Sequence, residues 1–352
     1  MFKERLRAQC RKHMSPGKEV DKSDMMSIVN HFPDLLVSTN LDERETSWLE
    51  ALSKDGIRGV CFLGMGGSSI AGRYVISLLS SSSALPMCLV QNYRLPAFVG
   101  EDYVTIAVSY SGNTQETITA HAAAVKRGCS TVVVTSGGAL SEAEAGLRVS
   151  LPSGYPPRGV LPIMLSLLLP TTEILTGQTP TDFAEVKEEL TRASARNTAE
   201  GPEELARRIE ERIPLFVAAD HLFPVAYRAK CQINENAKSE AFASQVPESN
   251  HNEIEGFTRK GAETLLPVLL RSRYETEPMG RRMDFMEKML GELGYGYVIC
   301  RQHSETLLGE VLAMTHYLDT ASVALASRLG VDPMSIEKIS KLKAFLEASQ
   351  SG

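Results

Sequence analysis

No two of the six cysteines form a C-x-x-C pair; Cys10, Cys61, Cys88, Cys129, Cys231 and Cys300 are scattered through apolar segments. Such spacing suggests neither a zinc ribbon nor a disulfide framework and fits a reduced, cytoplasmic compartment. The ~18 consecutive apolar residues of a membrane span are missing too. The longest candidate, Val160 to Leu169, contains Pro162 and Ser166 and meets Pro170, so it reads as a buried helix. Met1-Phe2-Lys3-Glu4-Arg5-Leu6-Arg7 lacks the apolar region of a signal peptide and reads as a solvated helix face. Basic charge is not in excess: 37 Lys+Arg stand against 43 Asp+Glu, a net charge of −6. That balance argues against an electrostatic nucleic-acid binder, and a small anion would need a local trap.

What is present is an ordinary globular composition, 43% hydrophobic and 23% charged over 352 residues, enough for two domains. Apolar residues recur at helical spacing from Asp21 to Leu36, with Ser23 as N-cap and Pro33 as an interruption. Strands are expected at Gly59 to Leu63, Pro86 to Val90, Val104 to Val108 and Thr131 to Thr135, with helices at Ser69 to Leu79 and Gln115 to Lys126. A Gly-Pro breaker at Gly201-Pro202 follows a change of composition and marks a boundary. Beyond it the order restarts: strand Leu215 to Ala219, helix Phe223 to Ser239, strand Glu263 to Leu270, helix Arg281 to Leu293, strand Tyr297 to Cys300 and helix Thr306 to Arg328. The expectation is an α/β chain of two similar three-layer αβα halves with parallel sheets, flavodoxin-like or Rossmann-like. Residues 1–45 form leader helices, 46–198 the first half and 199–352 the second.

Two turns between strand and helix suit an anion. In Gly64-Met65-Gly66-Gly67-Ser68-Ser69, backbone N–H groups and a positive helix end face outward. A dinucleotide fingerprint would need an acid near the end of the second strand, where the chain has Val90-Gln91-Asn92. No lysine follows the glycines, which excludes a Walker loop, and Ile70 stands where a G-x-S-x-G elbow needs glycine. In Ser109-Tyr110-Ser111-Gly112-Asn113-Thr114, three hydroxyls gather at one helix N-terminus. One of them is best read as a helix cap, but three exceed what a cap can use. At ~1.5–3 kcal/mol per hydrogen bond to a charged group, three hydroxyls and a backbone nest can hold a phosphomonoester without Lys or Arg.

The pair GMGGSS (64–69) and SYSGNT (109–114) resembles the phosphosugar-binding signature of sugar isomerase (SIS) domains. NENAK (234–238), PESNHNEIEG (247–256) and VDPMSIEKISKLKAFL (331–346) are similar to the bifunctional phosphoglucose/phosphomannose isomerase family, and the likeness covers about residues 50 to 346. The resemblance implies two tandem SIS-type halves and metal-independent, cofactor-free aldose–ketose isomerisation of glucose 6-phosphate, and of mannose 6-phosphate, to fructose 6-phosphate. It implies a closed homodimer and phosphate binding by Gly66, Gly67, Ser68, Ser109, Ser111 and Thr114. Glu235 becomes the base, Arg158 the stabiliser of enediolate charge, and His251, reaching the partner subunit's site, opens the ring with Lys343. Read without the resemblance, Glu235 is a solvated helical carboxylate beside Lys238 or Lys230, Arg158 a surface ion-pair arginine, and Lys338, Lys341 and Lys343 are equivalent. His251 and Glu253 lack metal-ligand spacing, so no metal is expected. Ser69 replaces the family's usual glycine, and Met334-Ser335 its common Thr-Pro, which leaves epimer preference open. A phosphosugar-sensing regulator without turnover is the alternative, and a nucleotide-dependent oxidoreductase a third reading.

Overall fold

The computed structural model describes residues 22–36, 41–196 and 201–350; the basic opening residues and Cys10 lie outside them. The chain divides into two compact units, Asn30–Ala195 with Ser304–Leu312, and Ser23–Val29 with Arg196–His303 and Ala313–Gly352.

The leader is two short helices, α1 (Met25–Asn30) and α2 (Phe32–Leu35), with Pro33 in the first turn of the second. Asp24, not Ser23, caps α1: its carboxylate accepts from the Met26 and Ser27 N–H groups at 3.0 and 3.2 Å. Asp24 immediately precedes the helix, the position from which a side chain reaches those donors. Helix α3 (Glu43–Lys54) has a capping box, Asp42 with Glu45.

The first unit is built on five parallel strands, β1 (Gly59–Leu63), β2 (Met87–Val90), β3 (Tyr103–Ser109), β4 (Ser130–Thr135) and β5 (Leu147–Ser150), in the order β2-β1-β3-β4-β5. Every residue of β1 and β3 is buried, as a parallel sheet covered on both faces requires. Helices α4 (Gly66–Leu79) and α5 (Gln115–Lys126) follow β1 and β3, and right-handed crossovers in opposite directions put them on opposite faces. Helix α6 (Leu161–Leu175) continues through Pro170 where the sequence suggests a stop. Burial of the whole apolar helix, packed on α3 and α4, outweighs one missing N–H, and Thr171 and Thr172 hydroxyls bond back to the Leu167 and Leu168 carbonyls at 2.7 Å. The segment Pro157–Leu175 is long and apolar enough to cross a membrane, but it is core, almost wholly buried inside the protein. Helix α7 (Phe183–Arg196) completes the unit.

After α8 (Pro202–Ile209) the second unit repeats the plan with four parallel strands, β6 (Ile213–Ala219), β7 (Phe242–Val246), β8 (Leu265–Arg271) and β9 (Val298–Arg301), in the order β7-β6-β8-β9. Counted within each unit, both orders begin 2-1-3-4, so the duplication suggested by the sequence is a duplication of topology. Strands β5 and β7 escape the sequence reading because edge strands are half exposed, so Leu-Arg-Val-Ser and Phe-Ala-Ser-Gln-Val carry no apolar run. Helix α9 (Phe223–Gln232) does not reach Ser239 in regular form; it passes into a π-helical turn, Ile233–Ala237, and ends on Lys238 at φ 57°. Helices α10 (Glu277–Leu293), α11 (Leu307–Arg328) and α12 (Glu337–Gln350) complete the chain. The five cysteines among the described residues are free thiols.

Candidate active site

Strand order reverses between β1 and β3, the point in an open α/β sheet where loops diverge and leave a crevice. Both suspected turns lie there, one at the carboxyl end of each strand. Gly66 and Gly67 open α4, whose first turn carries no acid, so its unsatisfied N–H groups and positive end are available to an anion. Ser68 Oγ accepts from the Tyr110 N–H at 3.3 Å, which ties the first turn to the second. Ser69 is buried; its hydroxyl donates to the Gly66 carbonyl at 2.8 Å and accepts from Gln91 Nε2 at 3.0 Å. Gln91 thus uses its amide to hold the first turn from the end of β2.

In the second turn, Ser109 and Thr114 hydroxyls are 3.0 Å apart, and Ser109 Oγ accepts from the Gly112 N–H at 3.1 Å. Thr114 occupies the N-cap position of α5 but makes no capping bond, so the capping role expected for one hydroxyl is not taken up at the cap residue. The exposed Ser111 accepts the Asn113 N–H at 3.3 Å. Gly112 has φ +69°, and a Cβ there would lie 1.7 Å from the Gly137 carbonyl oxygen, so no side chain fits.

Arg158 follows on a 3-10 turn, Pro157–Val160. It is 3% exposed, which removes the surface ion-pair reading. A Cβ on Gly67 would stand 3.2 Å from the Pro157 oxygen and 3.5 Å from Arg158 Cα, so the Arg158 segment packs directly on the first turn. The first unit therefore brings together two hydroxyl-bearing turns, two helix N-termini and the backbone of the buried Arg158.

The second unit holds the other candidates. Glu235 is half-buried in the π-helical turn between two fastened asparagines. Asn234 Nδ2 donates to the Ser239 carbonyl at 2.9 Å, and Asn236, fully buried, donates to Ser322 Oγ on α11 at 2.9 Å. Lys238 Nζ lies on the Glu235 carbonyl at 2.5 Å, and Lys230 stands over the Tyr227 ring at 5.4 Å. His251 is exposed at the end of a 3-10 turn, Glu248–His251, ordered by Asn252 Nδ2 donating to Glu248 at 2.8 Å. Lys338, Lys341 and Lys343 are all exposed on α12, where Lys341 pairs with Glu337 at 3.9 Å. The apolar side of α12 is uncovered in the single chain: Ile339, Leu342 and Leu346 are exposed, as is Phe345 at 69%. Among the described residues no group of three or more His, Cys, Asp or Glu side chains is arranged to hold a metal ion. Sequence reasoning missed Tyr110, Gln91 and Asn236, whose partners lie 42, 22 and 86 residues away and leave no local signal.

Two tandem parallel sheets, with a hydroxyl cradle at the first switch point, define a protein of the SIS class. Solved structures agree in fold. The C-terminal domain of glucosamine-fructose-6-phosphate aminotransferase from Francisella tularensis superposes with a TM-score of 0.66 at 14% identity, covering 90% of this chain and 99% of that one. Glucosamine-6-phosphate deaminase from Thermotoga maritima gives 0.60 at 14%, covering 87% and 96%. Residues 198–346 match the family described as bacterial phospho-glucose isomerase C-terminal SIS domain. The chain is 32% identical over 305 residues to the bifunctional phosphoglucose/phosphomannose isomerase of Aquifex aeolicus, covering 85% of this chain and 94% of that protein. It is 31% identical over 320 residues to a D-glucosamine-6-phosphate 4-epimerase of Sulfolobus acidocaldarius, covering 87% and 96%. The chain belongs to the bifunctional phosphoglucose/phosphomannose isomerase family and is a phosphosugar isomerase or epimerase.

Proposed function

We propose that the protein is a metal-independent, cofactor-free aldose–ketose isomerase interconverting glucose 6-phosphate, and mannose 6-phosphate, with fructose 6-phosphate through a cis-enediol(ate). The observation that carries this reading is the packing of the Arg158 segment against a hydroxyl cradle at one switch point. The cradle grips the phosphate equally in substrate and transition state, while the guanidinium acts on oxygens that become charged only during reaction. His251 and Lys343 open the pyranose ring. Glu235 then removes the C2 proton and returns it to C1, the hydroxyl proton passes from O2 to O1, and the product is an isomer with no net oxidation.

Residues 46–198 supply the cradle and Arg158, residues 199–352 supply Glu235, His251 and Lys343, and 1–45 form the leader. The working form is a homodimer with His251 in the partner's site, and the exposure of His251 and of the apolar side of α12 supports it. An isolated 14-residue helix is marginal in water, so an uncovered stripe of four large apolar side chains calls for a partner surface. The free thiols among the described residues support a cytoplasmic setting, and the proposed reaction is the hexose phosphate step shared by glycolysis and gluconeogenesis.

The test is a coupled assay in excess EDTA with glucose 6-phosphate, mannose 6-phosphate and, as control, glucosamine 6-phosphate, because one relative is named a 4-epimerase. Wild type is expected to turn over the first two, and Glu235→Gln to lower kcat by ~10²–10⁴. Unchanged turnover in that variant refutes Glu235 as the base. Conversion of glucosamine 6-phosphate alone, at C4, replaces the reading with an epimerase, and binding without turnover replaces it with a sensor.

A further inference from the structure

We infer that Tyr110 is a positioning residue of the isomerisation, setting the loop that carries Arg158 in register with the phosphate turns; the inference rests on the reading of the site given above. Tyr110 sits within the second turn, yet it is 8% exposed. Its hydroxyl makes two bonds to the main chain of one loop: it donates to the Pro152 carbonyl at 2.9 Å and accepts from the Tyr155 N–H at 2.9 Å. Its own backbone is held as tightly. The N–H donates to Ser68 Oγ at 3.3 Å, and the carbonyl accepts from the Ser136 N–H at 3.0 Å and the Ser136 hydroxyl at 2.5 Å. One residue thus joins the turns after β1, β3 and β4 to two points of the loop leading to Arg158.

The loop is built to receive that hold. Gly154, at φ +92°, reverses the chain between the two anchors and lets the Tyr155 N–H return to the phenol. Pro156 and Pro157 then stiffen the step to Arg158, and the segment closes against Gly67. Burial pushes the Tyr110 hydroxyl above its ordinary range, so it remains a protonated donor at working pH.

A reason for such a link lies in the reaction. The phosphate cradle fixes one end of the sugar phosphate, and the charge to be stabilised develops at the other. A guanidinium on a loop serves that charge only if its distance from the cradle is constant, and a misplacement of ~1 Å can cost ~10²-fold in rate. A phenol that merely filled space would need neither bond.

The experiment is a double-variant cycle on the full chain, measuring kcat and KM for fructose 6-phosphate in wild type, Tyr110→Phe, Arg158→Ala and the pair. Phenylalanine keeps the ring and the backbone bonds, and a melting temperature well above that of the assay verifies folding. Tyr110→Phe is expected to lower kcat by ~10- to 10²-fold with KM changed by less than about threefold, and to cost nothing further beside Arg158→Ala. Gly154→Ala is a second route: on the exposed surface it strains the turn without touching the core, and the same kcat-selective, Arg158-dependent loss is expected. That variant decides the matter if Tyr110→Phe does not fold. Losses that multiply in the double variants, or a rise in KM alone, overturn the inference and leave the isomerase reading standing. Full turnover in Arg158→Ala removes the role given to Arg158 and the inference with it, whereas a wild-type chain that converts no hexose phosphate removes the isomerase reading and the inference together.

Discussion

Asp319→Ala should destabilise the second unit by ~3–5 kcal/mol, the cost of leaving a buried charge without its partner. Arg228 on α9 and Asp319 on α11 face each other with both side chains 2% exposed, the guanidinium donating from Nε at 3.0 Å and from Nη2 at 2.7 Å. Water cannot replace the lost carboxylate there, so the full desolvation cost of Arg228 is exposed rather than the small net value of the pair. Against a total stability of ~5–15 kcal/mol that is a large share. Replacing both partners, Arg228→Met with Asp319→Leu, removes the charge with its counter-charge and should recover most of the loss. The assay is urea unfolding followed by far-ultraviolet circular dichroism, because the single tryptophan, Trp48, lies in the first unit and would report on the wrong part of the chain. A loss under ~1 kcal/mol in Asp319→Ala, or a double variant as unstable as the single one, would show that the pair is hydrated and the reasoning wrong. The same bolt bears on activity. Ser322 Oγ donates to the Asp319 main-chain carbonyl at 2.6 Å and accepts Asn236, the neighbour of Glu235, so a displacement of α11 in Asp319→Ala should also reduce turnover of folded protein.

Thr114→Ala and Ser111→Ala should each weaken phosphosugar binding by ~1.5–3 kcal/mol, read by titration calorimetry against the unphosphorylated sugar; equal weakening for both ligands would point to unfolding instead. Stability should also fall in mild acid through His121. Burial pushes its imidazole below the ordinary value, the bond from Nε2 to the Glu144 carbonyl at 2.8 Å works the other way, and nearby Arg148 adds to the lowering. The unfolded chain takes up that proton below pH ~6.5 while the folded chain does not, so stability is complete above that pH and declines beneath it. Urea midpoints at pH 7.5 and 5.5 should differ less in His121→Gln than in wild type, and an identical difference would assign the slope to other groups.

Sequence alone determined the class of the fold. Apolar runs such as Gly59–Leu63, alternating with helices, can only be the strands of a parallel sheet covered on both faces, because such strands have no polar face to show. The positions of the two strand-to-helix turns were legible for the same local reason: glycine and hydroxyl residues cluster where a chain passes from a strand into a helix. Tertiary structure decided what local pattern cannot carry. Edge strands Leu147–Ser150 and Phe242–Val246 owe their conformation to one neighbour each, and Pro170 stays helical because its surroundings bury the helix on every side. The π-helical turn at Glu235 contains one asparagine bonded to the Ser239 carbonyl just beyond it and another anchored on α11, 86 residues away. The burial of Arg158, the 42-residue reach of the Tyr110 hydroxyl to Pro152 and the failure of Thr114 to cap its helix belong to the same group. Each depends on which distant backbone groups a side chain meets once the sheets have formed, and a sequence records the donor without the acceptor.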